Sequence, residues 1–215
     1  KLENIKSEIT QIGVDVVDAM ELSLRALEDK KIDSLKNIEI TEKKLQVKSN
    51  EIDNMILTTL ALYSPEAKDL RQLVSYLKIT NELVRTGSNA KDFAKKFKKS
   101  YSDDLNTSMI LEYTIPLLKS ALLSLQTSIS MLDEVNPQHI EERYHRVIVE
   151  ESKTDDLYLM IEKNILKLIS KNLDLSKEYF DILSSLRRLE KIADRAVSIA
   201  NLLHFAQVGG DIVQS

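Results

Sequence analysis

Four carboxylates are the residues in this chain whose types and spacing could do chemistry. Glu151 and Asp155 stand four positions apart, and so do Glu190 and Asp194. Residues four apart on a helix share a face, so each pair would project together. Like charges at that spacing destabilise an isolated helix by about 0.2–0.5 kcal/mol. If the two helices pack side by side, four carboxylates converge, and burying them without a counter-ion is very costly. A divalent or trivalent hard cation with oxygen ligands would resolve that cost. One pair alone is a weak sign, because a chain with 30% charged residues makes such spacings by chance and turns them to water. Asp29 and Asp33 repeat the spacing at an expected loop and mean little.

Other chemistry is poorly supported. A carboxylate-bridged di-iron enzyme needs two Glu-x-x-His motifs plus two further Glu. The chain has one such motif, Glu142 with His145, while His139 and His204 have no such partner and read as surface or packing residues. No Ser/His/Asp arrangement, phosphate loop or dinucleotide fingerprint is found. The chain has no Cys, which excludes a disulfide framework, a thiolate metal site and a Cys nucleophile. A net charge of -4 gives no electrostatic case for nucleic acid.

The elements that must position the carboxylates are helices. Apolar residues make up 43% of 215 residues, and four Gly, three Pro and no Trp are few for a turn-rich β fold. Apolar positions recur at helical spacing almost throughout. They predict helices over about 2–29, 33–63, 65–98, 107–134, 138–171 and 175–206, with Asp29 to Asp33, Ser64-Pro65, Ser100 to Asn106 and Asn136-Pro137 as breaks. Pro65 suits the first turn of the third helix. Lys95-Lys96-Phe97-Lys98-Lys99 reads as a solvated last turn that complements the helix dipole. Val208-Gly209-Gly210-Asp211 reads as a stop. No run of about 18 apolar residues marks a membrane span. No charged-then-apolar leader opens the sequence, which begins at Lys1.

Three long helices, a polar break and three more long helices call for a repeat test. Glu42 to Gln46 lines up with Glu151 to Asp155 at an offset of 109, and Leu83 to Ser88 with Leu189 to Asp194 at 106. The fold expected is therefore all-α, two tandem three-helix bundles of long antiparallel helices, over 1–100 and 101–215. Both acidic pairs fall at equivalent places in the repeat, which is what raises the odds of a site. In the first unit those places hold Glu42, Gln46, Val84 and Ser88, so only one carboxylate survives there.

Pro65-Glu66-Ala67-Lys68-Asp69-Leu70-Arg71, with Leu77-Lys78-Ile79 and Asn81-Glu82-Leu83, resembles the PhoU pattern of P-x-A-x-D-L-R followed by an L-E-R-I-G-D-type stretch. Leu189-Glu190-Lys191-Ile192-Ala193-Asp194-Arg195 resembles that second stretch in the other repeat, with Lys191 in place of the usual Arg. The resemblance spans essentially the whole chain. It implies a cytoplasmic, non-enzymatic adaptor between a phosphate ABC transporter and a sensor histidine kinase, repressing phosphate-starvation genes when phosphate is plentiful. It implies a homodimer that meets the membrane only through partners. It also implies a metal ion or small metal cluster (iron, zinc, magnesium or manganese) held by Glu151, Asp155, Glu190 and Asp194. The alternatives are a PhoU-like regulatory domain of a sodium/phosphate cotransporter and, further off, a carboxylate-bridged metal enzyme.

Overall fold

Side-chain caps fix where three of the six long helices along this chain begin, and the apolar period sets the face that each buries. The computed structural model describes residues 1–210. Its six long helices are α1 (Leu2–Glu28), α2 (Glu42–Leu62), α3 (Ala67–Ser100), α4 (Thr107–Ser130), α5 (Pro137–Lys171) and α6 (Ser176–Val208). Among the described residues there is no strand. Asn106 caps α4 by accepting from the Met109 amide, at 3.1 Å. Asn136 does the same for α5, with Pro137 in the first turn, where its missing N–H costs nothing.

Three expected boundaries move. The second helix starts at Glu42 rather than 33, because Thr41 is extended (φ -131, ψ 139) and its hydroxyl accepts from the Lys44 amide. The residues before it form a short 3-10 turn, Ile32–Asn37, that buries Leu35. The third helix starts at Ala67, with Glu66 extended at its cap, so Pro65 precedes the helix instead of opening it. The fourth helix stops at Ser130, and Met131 and Leu132 bury themselves in the turn beyond. At the lysine-rich end of α3, Lys95 and Lys99 are exposed as expected, while Phe97 is buried and Lys98 pairs with Asp33 at 3.3 Å. Gly209, at φ 89, caps α6, a backbone setting that glycine adopts without strain; Asp211 lies outside the described residues.

Two three-helix bundles form, α1–α3 and α4–α6, and they share one continuous core. They are joined by two antiparallel pairings. Along α3 and α6, Arg195 donates to Glu82 at 2.8 Å and Arg188 lies 3.8 Å from Asp92, so one helix descends as the other rises. Along α1 and α4, Lys119 pairs with Glu28 at 2.6 Å, and the Gln126 amide donates to Glu21 at 2.9 Å. By length and composition α4 could cross a membrane, which the reading of the sequence did not anticipate. Here it packs against α5, α6 and α1, with Leu117, Leu118, Ala121 and Leu125 fully buried.

Gly13 marks a close approach between α1 and α4. A Cβ there would lie 2.8 Å from Ile129 Cδ1 and 3.0 Å from its Cγ1. Gly13→Val should therefore lower stability by about 1–3 kcal/mol through overpacking, although replacing a helical glycine is otherwise favourable. A lower urea midpoint with an unchanged m-value is the expected result.

Candidate metal centre

Helices α5 and α6 run antiparallel, and their pairing places the acidic residues. The His204 ring lies 2.7 Å from Glu141 at one end, and the Arg187 guanidinium sits 5.5 Å over the Tyr158 ring toward the other. Between them the seam puts Glu151 and Asp155 of α5 beside Asp194 of α6. One carboxylate oxygen from each of the three lies within 4.8 Å of the other two. Two ligand oxygens of a single hard cation, each about 2.0–2.6 Å from it, can stand roughly that far apart.

Glu190, the fourth acid predicted, is not part of that group of three and is paired with bases of its own helix. Arg187 Nε lies 3.4 Å from its Oε2 and Lys191 Nζ 3.5 Å from its Oε1. It remains near enough for its charge to act on Glu151. Lys191 also donates to Asp194 Oδ2 at 2.7 Å. In the sequence Lys191 stands out only as a departure from an arginine, and Arg187 and Tyr158 do not stand out at all. The i,i+3 spacing of Lys191 with Asp194, and of Arg187 with Glu190, was a signal that could have found both bases. Tyr158 could be placed only once the register of α5 against α6 was known.

The electrostatics carry the mark of crowding. Glu151 is half-buried, and its pKa is raised by desolvation first, then by Asp155, Asp194 and Glu190. Asp155 is raised by desolvation and by Asp194, with Lys191 and Arg187 acting the other way. Lys191 is itself held protonated, chiefly through its bond to Asp194. Two carboxylate oxygens in the seam, Asp155 Oδ1 and Glu190 Oε2, are buried without a hydrogen-bond partner. An orphaned carboxylate oxygen facing like charge is what a hard cation would satisfy. All four acids offer oxygen alone, a donor set suited to magnesium or manganese-type ions.

The equivalent place in the first unit is built differently. Glu42 and Gln46 are exposed, and Gln46 donates to Asn50 at 3.0 Å. Val84 is buried, and Ser88 bonds back to the Val84 carbonyl at 3.1 Å. Leu45 closes the space: a Cβ on Gly87 would meet its Cδ1 at 2.1 Å.

The histidines are not arranged as the single Glu-x-x-His motif suggests. His145 pairs with Glu141, at 3.0 Å, one helical turn away, while Glu142 accepts from Gln138 at 3.3 Å. His204 shares Glu141, and the Tyr144 ring lies 5.1 Å from it. His139 lies 3.5 Å from Glu134.

The PhoU domain model matches the chain twice, over residues 9–97 and 117–203. Curated relatives include a phosphate-specific transport system accessory protein PhoU homolog from Aquifex aeolicus (strain VF5), 20% identical over 79% of this chain and 74% of that protein. Another of the same description, from Xylella fastidiosa (strain 9a5c), is 25% identical over 95% of this chain and 84% of that one. Among solved structures, PhoU from Pseudomonas aeruginosa superposes with a TM-score of 0.82 at 19% identity, covering 97% of this chain and 98% of that one. The phosphate transport system regulatory protein PhoU from Streptococcus pneumoniae gives 0.80 at 19% identity, covering 100% and 98%.

The raised carboxylates predict how metal-free stability depends on pH. An acid whose folded pKa lies above its unfolded value, ordinarily 4.5 for Glu151 and 3.8 for Asp155, binds protons more tightly when folded. Its contribution to stability therefore falls as pH rises through that window, and the loss is complete above the raised value. Asp155→Asn should accordingly raise the melting temperature of chelator-treated protein at neutral pH. The gain should shrink as the pH is lowered through the carboxylate range, as measured by thermal melts across a pH series.

Proposed function

The chain belongs to the PhoU family, and from that premise we propose that it regulates phosphate uptake and phosphate-starvation signalling. It has an accessory and regulatory role in phosphate transport, the role carried by the names of its curated relatives. In our reading it works in the cytoplasm as a homodimeric adaptor between a phosphate ABC transporter and a sensor histidine kinase, by binding partners and not by catalysis. The two repeats are taken as 1–100 and 101–215.

A metal ion or small cluster belongs to this reading, held by the second repeat. Asp155 Oδ1, buried without a hydrogen-bond partner and beside the carboxylates of Glu151 and Asp194, is the observation that carries it. Glu151, Asp155 and Asp194 would supply the ligands from their present positions. Glu190 would join them by releasing Arg187 or Lys191. A cation there supplies charge neutralisation, allowing α5 and α6 to pack with their acids inward. Large apolar side chains exposed on α2 and α5, among them Leu57, Leu62, Leu159 and Met160, support a role exercised through surfaces.

Elemental analysis of purified protein should find a hard metal in the wild type and much less in a Glu190→Ala, Asp194→Ala variant. Equal metal in both would remove these residues from the ligand set. For the signalling role, deletion of the gene in its source organism should raise expression of a phosphate-starvation reporter in rich phosphate. An unchanged reporter would contradict it.

A further inference from the structure

A lysine ammonium already stands beside the carboxylates of the α5/α6 seam. Lys191 Nζ lies 2.7 Å from Asp194 Oδ2 and 3.5 Å from Glu190 Oε1. Asp194 is thus engaged twice: it is one of the three acids whose oxygens come together, and it is the acceptor for this lysine. Building on the metal reading proposed for this seam, we infer that Lys191 is a tethered counter-ion, whose ammonium neutralises Asp194 in the metal-free protein and leaves it when the carboxylates close on a cation.

Three features make Lys191 the displaceable group. An ammonium and a hard cation repel one another and draw on the same carboxylate charge, so a cation bound through Asp194 weakens the hold of Lys191 on it. The lysine carries a compact charge on a flexible four-carbon stem, and its side chain is 41% exposed, so it can swing into water. Arg187 is the less suited of the two bases: it contacts Glu190 and not Asp194, and its guanidinium also lies over the Tyr158 ring. The same swing frees Glu190 from one of its two cations, which lets the fourth acid turn toward the other three.

Lys191 then sets metal affinity without being a ligand. Removing its charge leaves Asp194 and Glu190 less neutralised in the metal-free state and takes away the competitor. Lys191→Arg should act in the opposite sense, because a planar guanidinium can hold Asp194 through two hydrogen bonds.

The test is Mn2+ binding to chelator-stripped, full-length protein by titration calorimetry, with thermal melts alongside. Lys191→Met should bind Mn2+ tighter than wild type by on the order of tenfold, the scale of one charge-assisted hydrogen bond. Lys191→Arg should bind more weakly than wild type. Lys191→Met should also melt below wild type without metal, yet gain more in melting temperature on adding Mn2+. Asp194→Asn serves as the control for the site. If wild type binds Mn2+, Asp194→Asn abolishes it, and Lys191→Met binds no tighter, the tethered counter-ion is wrong and the metal site stands. If neither wild type nor any variant binds Mn2+, both are overturned.

Discussion

Helix α6 has to satisfy three neighbours at once, and most of the architecture follows from how it does so. One side lies antiparallel along α3, fixed by Arg195 on Glu82 and Arg188 beside Asp92. A second meets α4 in the core, and Ala193, Ala196 and Ala200 of α6 are fully buried. The third faces α5 and carries Glu190 and Asp194. With two sides occupied, α6 cannot rotate to turn those acids to water without breaking the joint between the bundles. The repulsion in the seam is therefore built in by packing made elsewhere.

The two units have kept one fold while diverging in what they place between their second and third helices. In the first unit, Leu45 lies against the backbone of Gly87 and Val84 is buried nearby, so that interface is apolar and closed. In the second, Glu151, Asp155 and Asp194 occupy the matching region, and two of the seam's carboxylate oxygens lack a hydrogen-bond partner. Apolar contact stabilises the first interface without help. The second also needs a cation, or a basic side chain in its place, to offset the charge. Lys191 and Arg187 fill part of that role in the protein by itself.

Much of this was legible in the residues. The apolar period gave six helices because each buries one stripe, and the i,i+4 rule put both acidic pairs on single faces. The start of the second helix is harder to place, because the buried Leu35 and Ile38 are three apart, a spacing that a 3-10 turn uses as readily as an α-helix. Only the extended backbone at Thr41 separates the two cases. Pairing of His145 with Glu141, not Glu142, turns on rotamers that motif spacing cannot supply. The separation of Glu190 from the other three acids is hidden for another reason: it depends on the contacts of Arg187 and Lys191 with it.

The central claim is that the α5/α6 seam is a cation site, with Lys191 as its resident substitute. Anomalous scattering from a crystal of the full chain grown with Mn2+ tests it most directly. The account predicts a manganese peak bounded by Glu151, Asp155 and Asp194, with the Lys191 side chain withdrawn from Asp194. Full manganese occupancy elsewhere, or a crystal with no peak in the seam and Lys191 still on Asp194, would contradict it.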